Sequence, residues 1–334
     1  MYLKKLLQNL LGLARLRTSL LIVFIYILGI VSIAADYGSA PKLDFQGVLK
    51  LILGVFVMMT CYLNAAALND LADLDIDRVN IKNDSERPLL AGKISKKSTI
   101  AIISFSAVLA ILVSLIISPI STGLVLAVLF FNYIYSFKPV RLSYRGLFPI
   151  ALLPIVYVAF PILLAAQVTN RNLALETWAL LIGMYLAFMS RLFLKDFRDI
   201  QGDQKFGKRT FLLRYGKLAT IGTSIGFLIG STMVISVAVL PNDKHSLLAL
   251  LFLNSMSVSI LVKLNSTENF LQQGPLLSVF GRLQSGGIFV LIAHFVLGLS
   301  QSDQIQTAGT VFTITVLTYF SAQETFRRAK ILAS

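Results

Sequence analysis

A single cysteine, Cys61, is all that this 334-residue chain carries. An intramolecular disulfide and a thiolate metal site are therefore both excluded, and Cys61 reads as a small residue packed between helices. Histidine is almost as scarce: His245 falls in a loop and His294 inside an apolar run. Two imidazoles do not suggest a histidine-based metal or relay site, and His294 is assigned to packing. Charge is scarce as well. Asp, Glu, Lys and Arg make up 14% of the residues against 56% that are hydrophobic, and the mean hydropathy is +0.78, which excludes an ordinary soluble globule. No long hydrophilic stretch offers a second domain. The net charge of +14 thus has no soluble basic domain to sit on, which argues against nucleic acid as a partner and for anionic lipid headgroups.

What the chain has in abundance is apolar sequence. Runs long enough, or nearly so, to cross a bilayer occupy about 19 to 35, 49 to 68, 99 to 117, 122 to 135, 147 to 166, 175 to 194, 218 to 240, 246 to 262, 284 to 300 and 308 to 322. They predict an all-α, polytopic membrane helical bundle of nine or ten transmembrane helices, folded as one domain over residues 1–334. The opening stretch, residues 1–18, interleaves leucines near helical spacing with Lys4, Lys5, Arg15 and Arg17. It predicts an amphipathic interfacial helix whose arginines anchor to lipid. It runs into the first span with no small-residue cleavage site, so it is not read as a signal peptide. Alternating the loops with the N-terminus inside leaves only Lys42, Lys50, Arg171 and Lys244 of the 30 basic residues on the outer face, which predicts that the charged loops are cytoplasmic. Gly222, Gly226 and Gly230, four residues apart, together with Gly183, suggest close helix packing.

Two stretches break the apolar pattern. From Asn64 to Pro88 the chain places Asp70, Asp73, Asp75 and Asp77 within eight residues, directly after an apolar run. Carboxylates so placed lose hydration and repel one another unless water or a cation intervenes. On a helix, Asn69, Asp73 and Asp77 fall at i, i+4 and i+8, and Asp70, Asp73 and Asp77 at i, i+3 and i+7, so one face carries three or four oxygen ligands. Hard oxygen ligands suit Mg²⁺, which takes one or two carboxylates and completes its shell with water and phosphate. A diphosphate is therefore the expected second ligand set. Lys195 to Thr210 repeats the pattern with Asp196, Asp199 and Asp203 at i, i+3 and i+7. Basic residues trail each stretch, Arg87 after the first and Lys205, Lys208 and Arg209 after the second, placed to hold phosphate oxygens. The competing reading is a pair of solvated loops; two copies with equal spacing weigh against it.

These residues resemble the UbiA superfamily of intramembrane prenyltransferases. Its first motif, NDxxDxxxD, is matched by Asn69, Asp70, Asp73 and Asp77, and its second, DxxDxxxD, by Asp196, Asp199 and Asp203. A third element, a tyrosine followed by a basic residue between the motifs, is matched in YSFKPVRLSYRG by Tyr135 with Lys138 and Arg141. The wording is closest to the YSxPPxK or YSxPPxR form of the homogentisate and chlorophyll branches, except that Lys138 stands where the first proline is expected. Which of Lys138 and Arg141 is the family's basic residue stays open on this reading.

The resemblance implies a central cavity opening to the cytoplasmic side of a bacterial or archaeal membrane. It implies Asn69, Asp70, Asp73, Asp77, Asp196, Asp199 and Asp203 as Mg²⁺ ligands, and Asp73, Asp199 and Tyr135 as catalytic residues. Arg87, Lys138, Arg141, Lys208 and Arg209 would bind the diphosphate. The implied reaction is Mg²⁺-dependent transfer of a prenyl group from an allylic prenyl diphosphate to a lipophilic, aromatic or quinone-precursor acceptor. Phe130, Phe131, Tyr133 and Tyr135 would either face the allylic cation or form an interfacial belt. A terpene cyclase acting on the diphosphate alone is the alternative, and a membrane transporter a more distant one, since the acidic groups lie at helix ends rather than near the bilayer midplane.

Overall fold

The computed structural model describes residues 9–10, 12–40, 44–80, 87–240, 243–268 and 270–333. Half of the stretch expected to form the interfacial helix, including Lys4 and Lys5, lies outside the described residues, as does Lys42. Among the described residues every regular element is helical, apart from one isolated bridge between the backbones of Arg145 and Arg209. We number the helices α1 (Leu16–Asp36), α2 (Phe45–Ala72), α3 (Leu74–Asn80), α4 (Lys96–Ile117), α5 (Pro119–Ser136), α6 (Phe148–Thr169), α7 (Leu175–Phe193), α8 (Ile200–Lys205), α9 (Phe211–Ala238), α10 (Lys244–Ser266), α11 (Phe270–Leu299) and α12 (Gln304–Ala333).

Nine of these helices, among the described residues, are long and apolar enough to cross a membrane: all but α3, α8 and α12. The protein is an integral membrane protein. The stretch 308–322, read from the sequence as a tenth span, sits within α12, which is 30 residues long but carries too many Thr, Ser, Gln and charged side chains to join the nine. Capping residues place several ends. Ser118 closes α4 and opens α5: its extended backbone (φ −169°, ψ 158°) admits Pro119 at the first helical position, and its hydroxyl accepts the Ser121 N–H at 3.0 Å. Asp44 and Ser95 accept N–H groups in the same way at the starts of α2 and α4.

The chain forms two compact units. The first takes residues up to Tyr26, Pro41–Arg171 and Asp199–Thr210. Its helices α2, α4, α5 and α6 pack together and are tied by side-chain amides in the apolar interior, where each polar group needs a partner. Asn64 donates to the Ile103 carbonyl at 3.0 Å, and Asn132 to the Cys61 carbonyl at 3.3 Å. Cys61 itself is buried. One π turn, Ile155–Ala159, interrupts α6 between Pro154 and Pro161.

The second unit takes Ile27–Ala40, Asn172–Arg198 and Phe211 to the C-terminus. Here α7 packs on α9, and α11 lies between α10 and α12. Close packing at Gly183 is as the sequence suggested, since a Cβ there would meet Ile235 Cγ1 at 2.5 Å. The glycines at four-residue spacing behave otherwise. Gly222 and Gly226 have nothing within 4 Å of an added Cβ, and Gly230 only Leu186 at 3.8 Å, so they mark an open face rather than a helix contact. His294 also departs from the expected packing role: its Nδ1 lies 2.7 Å from Asp243, which caps α10 by accepting the N–H groups of His245 and Ser246 at 3.0 Å. The polar partner comes from a distant turn, which no local sequence signal reveals.

Candidate active site

The acidic motifs were expected to lie along continuous helix faces. Both are instead broken at their middle carboxylate. α2 ends at Ala72, Asp73 has φ −104° and ψ 13°, and α3 restarts at Leu74. In the second motif a 3-10 turn covers Lys195–Arg198, Asp199 has φ −113° and ψ 8°, and α8 restarts at Ile200. Asp73 and Asp199 thus share the sparsely populated bridge region of backbone space, where active-site residues are often found. Helical hydrogen bonding resumes past each break, with the Asp77 N–H donating to the Asp73 carbonyl at 2.8 Å and the Asp203 N–H to the Asp199 carbonyl at 2.9 Å. The short helices α3 and α8 are therefore equivalent pieces of structure, each carrying an aspartate one turn beyond a broken one.

Within the first unit α3 packs directly on α8. Asn80, at the end of α3, accepts the Gly202 N–H on its side-chain oxygen at 2.6 Å. Glycine suits this close approach, because a Cβ on residue 202 would stand 2.6–2.7 Å from the Asn80 amide and force one of the two to move. Asp77 lies one turn before Asn80, and Asp203 follows Gly202, so this bond links the two motifs close to their carboxylates. Asp196 belongs to the second unit, where Lys195 approaches it at 2.6 Å.

The carboxylates were also expected to repel one another, and Asp70 and Asp73 do so at Asp77. The structure in addition sets four of them beside a base. Asp70 pairs with Arg15, Asp77 with Arg87, Asp73 with Arg141 at 3.0 Å and Asp203 with Lys208 at 3.1 Å. All four aspartates are at most 8% exposed, and at that burial an unpaired charge costs several kcal/mol. Arg15 and Arg141 lie 55 and 68 residues from their aspartates, so spacing alone did not foretell those two pairs, whereas Arg87 and Lys208 trail theirs by 10 and 5 residues. Asp75, by contrast, is exposed on α3 beside exposed Arg78 and behaves as a solvated surface residue. Arg15, assigned from sequence to lipid anchoring, turns instead toward Asp70 through a left-handed backbone (φ 44°).

Arg141 is held by more than its aspartate. Besides Asp73 it donates to the Ala72 carbonyl at 2.9 Å, one of the carbonyls left over at the C-terminus of α2. Its own backbone is left-handed (φ 40°), a conformation that costs a side-chain-bearing residue about 1–2 kcal/mol. Lys138 is exposed. Lys208 is nearly buried, at 9% of its side chain. Arg209 contributes backbone to the bridge with Arg145, and its side chain is exposed. Tyr135 is half-buried with its ring 6.2 Å from that of Phe131, whereas Phe130 and Tyr133 are exposed, so the aromatic group divides between two faces of α5. Asn69 is half-buried, and its carbonyl accepts the Asp73 N–H at 2.9 Å.

Electrostatics follow from this burial. Desolvation, with Asp70 and Asp73 adding repulsion, outweighs Arg87 and pushes the Asp77 carboxyl up to about 6. Burial alone would lower Arg15, but the Asp70 carboxylate holds it above its ordinary value. Burial raises the Tyr144 phenol, opposed by Arg141. Tyr144 escaped the sequence reading, as did Asn80 and Gly202. An aromatic side chain three positions past Arg141 was a usable signal, but nothing local marks the Asn80–Gly202 pair.

The residues fit Mg²⁺ by the chemistry of their donors. Among the described residues no three or more Asp, Glu, His or Cys side chains gather as a ready-made cage for one metal. Mg²⁺ does not need one, since it binds one or two carboxylates and fills its shell with water and phosphate. Asp73, Asp77, Asp199 and Asp203 supply hard oxygen in a single unit from two equivalent segments.

Comparison with known proteins follows the same line. Residues 20–273 match the UbiA prenyltransferase family. The chain is 28% identical over 187 residues to a digeranylgeranylglyceryl phosphate synthase from Methanocaldococcus jannaschii, covering 56% of this chain and 63% of that protein. It is 28% identical over 189 residues to a 4-hydroxybenzoate octaprenyltransferase from Polynucleobacter necessarius, covering 57% and 63%. The aligned part thus spans less than two thirds of either relative. A UbiA homolog from Archaeoglobus fulgidus, solved bound to DMAPP and Mg²⁺, superposes with a TM-score of 0.62 at 16% identity, covering 87% of this chain and 99% of that one.

Proposed function

Because this chain belongs to the UbiA prenyltransferase family, we propose that it transfers a prenyl group from an allylic prenyl diphosphate to a lipophilic acceptor and releases diphosphate. The observation that carries this reading is the pair of motifs broken alike at Asp73 and Asp199, with buried aspartates matched by bases. Asp73, Asp77, Asp199 and Asp203, with Asn69 and Asp70 beside them, would hold Mg²⁺. The bound metal would supply Lewis-acid neutralisation of the departing diphosphate. Arg141, Lys208 and Arg87 stand against the same carboxylates and bear on the phosphate oxygens. In a water-poor site their charge stabilises the negative charge that develops as the C–O bond ionises. The bonding electron pair leaves with the diphosphate, and the allylic cation bonds to a nucleophilic atom of the acceptor, which then loses a proton. Tyr135 lies in the last turn of α5, just before the loop of Arg141, and is placed to line this path. The distribution of basic residues supports a site on the cytoplasmic side of the membrane.

The acceptor is a lipophilic molecule with an aromatic or quinone-precursor ring. The 4-hydroxybenzoate relative supports that class, while the digeranylgeranylglyceryl phosphate synthase relative supports a glycerol phosphate lipid. The test is to incubate membranes holding the protein with Mg²⁺, labelled prenyl diphosphates and a panel containing both acceptor classes. Labelled product on one class identifies the acceptor. A cyclic hydrocarbon formed without acceptor would make the protein a cyclase, and no consumption of diphosphate would sink the proposal.

A further inference from the structure

The two acidic motifs are neutralised in part by Arg141 and Lys208, and one aromatic ring lies against both bases. The Tyr144 ring centroid is 3.9 Å from Arg141 Cζ and 5.9 Å from Lys208 Nζ. Both distances are within the reach of cation–π attraction, and the closer is a direct stack. Tyr144 closes the 3-10 turn Leu142–Tyr144 that Arg141 opens, so the stack is built into a single turn of chain. The neighbouring residue Arg145 bridges to the Arg209 backbone, which brings Lys208 alongside. Arg141 and Lys208 meanwhile donate to Asp73 and Asp203, one carboxylate from each motif. The Arg141 Nε is buried with no hydrogen-bond partner, so on that side the ring, rather than an acceptor, sets the guanidinium plane.

We propose that Tyr144 is a positioning residue for the donor diphosphate: its ring keeps Arg141 and Lys208 in place at the junction of the two motifs. The inference rests on the prenyl-diphosphate reading above and adds to it a determinant of donor affinity. When Asp73 and Asp203 engage other ligands, Arg141 and Lys208 lose the partners that now hold them. Long basic side chains released in that way regain rotamer freedom that binding must remove again. A fixed ring face limits this freedom, and a neutral π-system does so without competing for the phosphate oxygens as a carboxylate would.

The test uses the full-length protein in detergent with Mg²⁺ and a non-hydrolysable geranyl thiolodiphosphate, with the dissociation constant read by calorimetry. Tyr144→Leu should weaken binding about 3- to 30-fold, the span of a cation–π contact from exposed to desolvated. Tyr144→Phe, which keeps the ring, should recover the parent affinity to within about twofold. In an Arg141→Ala background the further loss from Tyr144→Leu should shrink, because the residue it acts through is gone. Should Tyr144→Leu fail to fold, graded fluorination of phenylalanine at position 144 drains the ring face at nearly constant shape, and affinity should fall stepwise with fluorine count. An unchanged constant in Tyr144→Leu, an equal loss in both backgrounds, or a flat fluorination series would overturn the proposal. A parent protein that does not bind the analogue at all would instead overturn the prenyl-diphosphate reading itself.

Discussion

Replacing Gly202 by alanine probes the joint between the two acidic segments with a single methyl group. The added Cβ would lie 2.6 Å from Asn80 Oδ1 and 2.7 Å from its Cγ and Nδ2, well inside van der Waals contact. Either the Asn80 amide swings away and the 2.6 Å bond from the Gly202 N–H is lost, or α8 moves off α3. The first path costs about 1 kcal/mol, rising to about 3 if the N–H stays buried without an acceptor. The second is overpacking, at about 1–3 kcal/mol. Alanine is favoured over glycine inside a helix by about 1 kcal/mol, so the net loss of stability is small, about 0–2 kcal/mol. Turnover is far more sensitive, because a shift of roughly 1 Å between Asp77 and Asp203 misplaces the groups that hold the diphosphate, and such shifts cost about 100-fold. Gly202→Ala should therefore unfold within a few degrees of the parent while losing about 10- to 100-fold in kcat. Asn80→Ala should show a similar, smaller loss. The double variant should be no worse than Gly202→Ala, since both changes break one joint. Parent-level turnover in Gly202→Ala, or strictly additive losses in the double variant, would refute the reasoning.

Other outcomes can be checked in the same preparations. Asp73→Asn and Asp199→Asn should each express and fold in detergent yet lose about two orders of magnitude or more in turnover; near-normal rates in both would return the motifs to the status of solvated loops. Arg141→Ala should weaken binding of a prenyl diphosphate analogue by about 1.5–3 kcal/mol, whereas Lys138→Ala, at an exposed position, should change it little; the reverse order would make Lys138 the family's basic residue. Burial pushes the Asp243 carboxyl up, but Ser246 and His294 outweigh it and hold the group below its ordinary value. The folded protein thus binds this proton less readily than the unfolded chain, so its stabilisation is complete above about pH 4 and is lost as acid is added below that. Thermal unfolding should show the acid loss in the parent and a weaker one in Asp243→Asn, and Asp243→Ala should cost about 0.5–2 kcal/mol at neutral pH through the lost cap of α10; superimposable pH profiles would count against this account.

Much of the fold was legible because a bilayer demands long apolar helices, and nine of the ten apolar runs became such helices. The run at 308–322 failed because it is short, and the polar side chains within and around it dilute its hydropathy over a membrane-length window. The motif aspartates were legible as residues, but their geometry was not. Helical periodicity predicts a continuous face, whereas the breaks at Asp73 and Asp199 are backbone choices that residue type does not reveal. Two of the ion pairs were illegible for a different reason: Arg15 and Arg141 reach Asp70 and Asp73 only after distant segments fold together, whereas Arg87 and Lys208 trail Asp77 and Asp203 by 10 and 5 residues. Arg15, assigned to lipid, therefore turned out to face a carboxylate. His294 follows the same logic, since its partner Asp243 lies 51 residues away in the chain.

The central claim is that the two broken motifs form one Mg²⁺-dependent diphosphate site. Its most direct measurement is calorimetric binding of geranyl thiolodiphosphate to the purified protein, with Mg²⁺ and then with excess EDTA, in the parent, Asp73→Asn and Asp199→Asn. The account predicts saturable binding in the parent that vanishes with EDTA, and severe loss in each variant even though the two substitutions lie in different motifs. Binding that persists in EDTA, or that one variant retains in full, would contradict it.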